Sequence, residues 1–197
     1  MADETYHSAL ATEGPDLVAQ ASAGELAEIW HRDAEVATVV AHLDARASAL
    51  ITGPSGAGKT AVVHGVAHAL AARRGTPVPV RQLSTGQAMS GTRYLGEWQT
   101  KITRILEAAV KEDAVLFFTD IWNLTTVGKT SNDPSSLIDV VAPFVEDGRV
   151  RMLGEATPEM LQLLGRAPRL ASLLQSVAVA PLSPERVLDV LARVARR

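Results

Sequence analysis

The chain has 197 residues, 22 acidic and 19 basic, for a formal net charge of −3, with 47% apolar residues, 4% aromatic residues and no cysteine. That length and apolar fraction suit one domain with a buried core and exclude wholesale disorder. The missing cysteines exclude a disulfide framework, thiol catalysis and thiolate metal sites, and the near-neutral charge argues against a dedicated nucleic-acid binder.

Residues 1–24 mix polar and small types, broken at Gly14-Pro15 and Ala23-Gly24, and read as a mobile arm with one short helix ahead of a domain over 25–197. The opening Met1-Ala2-Asp3-Glu4 has neither the basic start nor the apolar stretch of a secretory signal, and no run reaches the ~18 apolar residues of a membrane helix. From Asp33, a candidate cap, Val36, Val39, Val40 and Leu43 recur at helical spacing. Ala49-Leu50-Ile51 is the size of a buried strand, and a helix follows over 59–74, stopped by Gly75 and Pro77. A second strand is expected over 78–83. Trp98, Ile102, Ile105, Leu106 and Ala109 then place one apolar stripe on a helix over 97–110. Val115-Leu116-Phe117-Phe118 is apolar on both faces, as central parallel strands are. A polar loop over 123–134, a helix over 137–145 and a strand over 150–153 come next. Helical pieces broken at Gly165 and Pro168 lead to a strand at 177–179. Ser183-Pro184 then opens a last helix with a cap and a first-turn proline. Strands alternating with helices predict an α/β fold, a three-layer arrangement of a five-stranded parallel sheet with helices on both faces.

One motif carries chemistry. Gly53-Pro54-Ser55-Gly56-Ala57-Gly58-Lys59-Thr60 fits G-x-x-x-x-G-K-[ST] at every fixed position, with a strand before it and a helix after it. Glycines let successive backbone N–H groups converge on phosphate oxygens, and the following helix adds its positive end. Lys59 would neutralise the β/γ-phosphates of ATP or ADP, and Thr60 would ligate Mg²⁺. Such a site also needs a carboxylate at the end of a neighbouring strand. After Val115–Phe118 the chain offers a single one, Asp120, a candidate either for the metal shell or for the attacking water. His64 and His68 lie four apart on one helix without a glutamate between them or an evident third ligand, and read as a helix-surface pair.

Taken together, these segments resemble the large subdomain of the first AAA+ module of Clp/Hsp100 chaperones, over roughly residues 16–197. Ile29-Trp30-His31-Arg32-Asp33-Ala34-Glu35 is similar to the V-I-G-R-D-x-E box, which implies that Ile29 and Trp30 border the adenine. The 53–60 loop and the Ala61-Val62-Val63-His64-Gly65 that follows match the Walker A region, so Pro54, Ser55, Gly56, Ala57, Gly58, Lys59, Thr60 and Ala61 are implied in nucleotide binding. Thr92-Arg93-Tyr94-Leu95-Gly96-Glu97-Trp98 is similar to a pore loop, which implies that Tyr94 grips an extended polypeptide. Asp139 to Val150 resembles another family stretch and keeps Pro143 and Gly148. Leu153-Gly154-Glu155-Ala156-Thr157 is similar to I-G-A-T-T and puts Thr157 at the sensor-1 position.

The departures from the family pattern are equally specific. Thr119 falls where the family has its metal-binding Asp, and Asp120 where it has the catalytic Glu. Ser172 and Leu173 fall on the paired arginine fingers, with Arg166 and Arg169 nearby. No small helical lid follows the last helix, so the chain is expected to be a fragment of a longer protein or a pared-down relative. The resemblance implies a cytoplasmic module that remodels proteins with ATP, in a homo- or hetero-oligomeric ring, with protein substrates or partners and no nucleic acid or membrane. The departures imply weak hydrolysis, or alternatively a nucleotide-gated adaptor or regulatory subunit. A clamp-loader or replication ATPase fits the low basic charge less well.

Overall fold

The computed structural model describes residues 10–91, 97–129, 134–164 and 167–196. In chain order the elements are α1 (Leu17–Ser22), α2 (Asp33–Asp44), β1 (Ser48–Thr52), α3 (Lys59–Ala71), β2 (Val80–Leu83), α4 (Thr85–Met89), α5 (Glu97–Lys111), β3 (Val115–Phe118), a 3₁₀ turn (Ile121–Thr125), α6 (Leu137–Glu146), β4 (Arg151–Ala156), α7 (Pro158–Leu164), α8 (Pro168–Ser172), β5 (Leu174–Ala178) and α9 (Pro184–Val194). The strands form one parallel sheet in the order β2-β3-β4-β1-β5.

Strand alternation divides the core into two halves. Ala49, Ile51, Val115, Phe117 and Leu153 point to one face and meet α1, α2 and α3 through Leu17, Val39, Leu43, Val62, Val66 and Leu70. Leu50, Leu116, Phe118 and Met152 point to the other, against Ile102, Ile105 and Leu106 of α5 and Leu137 and Val141 of α6. The expected five-stranded, three-layer α/β sheet is therefore present.

The differences from the sequence reading have local causes. Residues 10–24 are docked rather than a free arm. Leu10, Leu17 and Val18 are buried. Asp16 caps α1 by accepting from Val18 N at 2.9 Å, and its backbone bridges to Arg81. Asp33 lies inside the first turn of α2, and Arg32 is the flanking residue. The strand expected over 150–153 runs on to Ala156, straight through Gly154. Glycine is required there because a Cβ would sit 2.5 Å from Ile121 Cδ1. In this position it marks close packing, not a strand end.

The topology fixes where a crevice opens. From β1 the chain leaves through α3 on one face. From β4 it leaves through α7 and α8, whose Leu164 and Leu170 pack on the other. Between the carboxyl ends of β1 and β4 the connections diverge, which is where open α/β sheets hold ligands. Among the described residues, no helix is long and apolar enough to cross a membrane.

His64 on α3 is half-buried, and that burial holds its imidazole below the usual range near 6.5. The unfolded chain therefore takes up the proton first, so stability falls as the pH drops below about 6.5. Urea midpoints between about pH 7.5 and 5.5 should fall less steeply for His64→Gln than for the unsubstituted chain.

Candidate functional site

The loop 53–58 joins the end of β1 to α3 and lies beside the ends of β4 and β5. Gly53 N donates to Ala156 O at 3.1 Å, and Val179 N donates to Thr52 O at 2.7 Å. A Cβ on Gly53 would meet Val179 O at 2.3 Å, so no larger residue fits. Gly58 flanks α3 with φ +90°, a left-handed conformation that glycine adopts without strain. Gly53→Ala is expected to force this junction apart and lower the urea midpoint by an amount worth about 2 kcal/mol.

Lys59 Nζ lies back over the loop, donating to Gly53 O at 3.0 Å and Pro54 O at 2.9 Å. Arg32 is 5% exposed. Its guanidinium donates to Ala57 O at 2.6 Å, to Ala180 O at 2.9 Å and to Glu35 Oε1 at 2.8 Å. It thus ties the loop to the segment after β5 and to α2. Arg32 belongs to the Ile29–Glu35 box, and two of its partners lie far outside it. An arginine at a helix entry beside a glutamate three residues on was the available signal.

A cleft of ≈ 520 Å³ joins Ile29 and Trp30 to Gly56, Ala57, Gly58 and Ala61, and is closed by Pro181, Leu182 and the Val187, Val190 and Val194 side of α9. Ile29 and Trp30, expected to border a base, therefore share one cavity with Gly56, Ala57, Gly58 and Ala61, while Lys59 and Thr60 lie outside its lining. His31, in the left-handed region at φ +61°, fixes the rim through Nε2 to Asp189 Oδ2 at 2.7 Å. Arg193 bonds the same carboxylate at 2.8 Å and lies 5.8 Å from the Trp30 ring.

Asp120 lies against the start of α4. Its carboxylate accepts from Thr85 N at 2.9 Å, from Thr85 Oγ1 at 2.5 Å and from Asn123 Nδ2 at 3.2 Å. It helps cap α4, beyond the end of β2. The backbone turns into the 3₁₀ segment directly after β3, and this carries the side chain to that neighbour. The carboxylate that does meet Thr60 is Glu155 on β4, whose Oε2 accepts from Thr60 Oγ1 at 3.1 Å. Burial pushes the Glu155 carboxyl above its ordinary range, opposed by the Thr60 hydrogen bond and the Lys59 charge. Nothing adjacent to Glu155 in sequence marks it for this contact, whose partner lies 95 residues away.

Thr157 follows β4 beside the loop, and its hydroxyl accepts from Met160 N at 3.4 Å at the start of α7. Tyr94 and Arg166 lie outside the described residues. Arg169 bonds Asp139 and Glu146, each at 3.3 Å. Ser172 closes α8 and Leu173 is packed against the core. His68 bonds Ala27 O at 3.0 Å. Trp98 is buried in the core, Trp122 packs on it, and Trp30 lines the cleft. Among the described residues, no group of three or more His, Cys, Asp or Glu is placed to hold a metal by itself.

Comparison with known proteins adds an independent line. The family described as ATPase family associated with various cellular activities (AAA) matches residues 49–170. The chain is 29% identical over 200 residues to Chaperone protein ClpB of Lactiplantibacillus plantarum, covering 95% of this chain and 23% of that one. It is 30% identical over 167 residues to the ClpA homolog protein of Fuscovulum blasticum, covering 79% of this chain and 21% of that one. The chain thus spans less than a quarter of the length of these curated relatives. Among solved structures it is similar in fold to the extended S. cerevisiae Hsp104:casein complex, with a TM-score of 0.81, 21% identity, 93% of this chain and 32% of that one. For the S. cerevisiae Hsp104-ADP complex the TM-score is 0.77 at 21% identity, over 93% of this chain and 26% of that one.

Proposed function

The chain belongs to the AAA family of ATPases and is a module of Clp/Hsp100 type, and from that premise we propose that it binds ATP and ADP in the cleft between the 53–58 loop and Trp30. The observation that carries this is the cavity that Ile29 and Trp30 share with Gly56, Ala57, Gly58 and Ala61. The apolar rim suits a base, and the loop and the first turn of α3 suit phosphates. Lys59 would leave its loop carbonyls for the phosphates, and Thr60 would hold Mg²⁺. The oxygen chemistry around Thr60 fits that hard cation, which takes few protein ligands beside phosphate and water. When bound, the ion would neutralise phosphate charge.

The work this binding would serve is remodelling of protein substrates in an oligomeric ring, in the cytoplasm. The Clp relatives and the casein-bound Hsp104 neighbour support that reading. Tyr94 would touch the substrate, and Thr157 would sense the γ-phosphate. Hydrolysis would be slow. Asp120 is held by Thr85 and Asn123, and neither Ser172 nor Leu173 can stabilise a neighbour's transferring phosphoryl group, a contribution worth ~10³–10⁵ in rate where an arginine provides it. The same observation favours a second reading, an adaptor in which nucleotide orders an interface instead of driving work. Steady-state phosphate release with Mg-ATP is expected far below ~1 s⁻¹. Turnover near that rate, lost in Lys59→Ala, would overturn slow hydrolysis. Light scattering with and without an ATP analogue tests ring assembly.

A further inference from the structure

The P-loop reading leaves its cation without a protein carboxylate, since position 119 is Thr119 and Asp120 is taken by Thr85 and Asn123. A carboxylate reaches the same place from the adjacent strand. Phe118 pairs with Gly154 in the β3–β4 ladder. One residue further on, positions 119 and 155 are therefore level. Phe117 and Leu153 face α3, and by strand alternation so does Glu155, while Thr119, just past β3, donates its hydroxyl to Leu83 O at 3.3 Å.

Two features of Glu155 go beyond proximity. One carboxylate oxygen, Oε2, accepts the Thr60 hydroxyl at 3.1 Å. The other, Oε1, is buried without a hydrogen-bond partner among the described residues. Lys59, whose charge acts on it, spends its hydrogen bonds on the carbonyls of Gly53 and Pro54. A buried carboxylate oxygen lacking a donor is costly, and a bound ion is one way a native site completes it. The position demands a cation for a second reason. A carboxylate beside the phosphate loop repels a nucleotide unless a metal lies between them.

Resting on the nucleotide-binding reading, we propose that Glu155 is the carboxylate that holds the magnesium ion of a bound nucleotide, the role having moved from the end of β3 to the same level on β4. Thr60 supplies the hydroxyl, and the remaining oxygens come from phosphate and water, the ligand set this cation prefers.

Calorimetric titration of ADP in Mg²⁺ and in EDTA tests this without hydrolysis, for the chain, Glu155→Gln, and the exchange variant Glu155→Ala with Thr119→Asp. The chain should bind ADP ~10-fold or more tighter with Mg²⁺ than with EDTA. Glu155→Gln should lose that ratio to within about 2-fold, keeping or gaining affinity in EDTA because the repulsion is gone. The exchange variant should recover the ratio. Electron paramagnetic resonance of Mn²⁺ in the ADP complex should show the ion released by Glu155→Gln and retained by the exchange variant. A Glu155→Gln protein that keeps the full Mg²⁺ ratio, or an exchange variant that folds and does not recover it, overturns this assignment alone. Failure of the unsubstituted chain to bind ADP in either buffer overturns the nucleotide reading and this assignment with it.

Discussion

Arg32→Met should lower the stability of the chain by about 3 kcal/mol, read as a lower urea midpoint at an unchanged slope. Arg32 is 5% exposed and serves three acceptors, the carbonyls of Ala57 and Ala180 and the Glu35 carboxylate. Methionine has a similar length and keeps the packing of the stem, but it strands all three acceptors. Each buried acceptor left unsatisfied costs about 1–3 kcal/mol, and the partly buried Glu35 loses its counter-charge. Against a total stability of about 5–15 kcal/mol, that is a large fraction. Lysine should not rescue, because one ammonium cannot span acceptors on three segments as a planar fork can. Glu35→Gln, which can still accept, should cost less than half as much. A loss below about 1 kcal/mol for Arg32→Met would show that the tie carries little load.

Lys59→Ala should act on the opposite quantity. Among the described residues its ammonium hydrogen-bonds to loop carbonyls at 3.0 and 2.9 Å, one of them at an exposed position, so stability should change by less than about 1 kcal/mol. Nucleotide affinity should fall by ~100-fold or more, or about 2.7 kcal/mol, because no other lysine or arginine of the loop can neutralise the β/γ-phosphates. The pair of variants therefore separates folding from binding. Arg32→Met weakens the scaffold of the cleft, and Lys59→Ala leaves the scaffold and removes the charge. A Lys59→Ala protein that binds ADP as tightly as the unsubstituted chain would contradict the phosphate reading of the loop.

Much of the fold was legible because its signals are local. Four consecutive apolar residues made β3, and the observed strand has the expected limits, Val115–Phe118. The stripe from Trp98 to Ala109 made α5, and all of its named positions are buried. The P-loop was legible for the same reason: eight adjacent residues hold the whole motif. What stayed hidden depends on partners distant in sequence. Arg32 meets backbone 25 and 148 residues away. Asp120 turns to Thr85, 35 residues back, and nothing in its own neighbourhood announces that. The apolar run ends at Leu153, so hydropathy alone does not reach Gly154 and the two residues of β4 that follow it. Glu155 thus lies outside the expected strand, and its alignment with Thr60 spans 95 residues of sequence. The docking of residues 10–24 was missed for a related reason: Leu10, Leu17 and Val18 are too few and too scattered to give a period.

Thermal unfolding with and without Mg-ADP tests nucleotide binding in this cleft most directly. At a ligand concentration ~100 times Kd, binding to the folded state alone adds about 2.7 kcal/mol. For a chain of this size that corresponds to a rise in Tm of roughly 5–10 °C. The account predicts that rise for the unsubstituted chain and its absence in Lys59→Ala. An unchanged Tm at millimolar Mg-ADP, or an equal rise in both proteins, would contradict it.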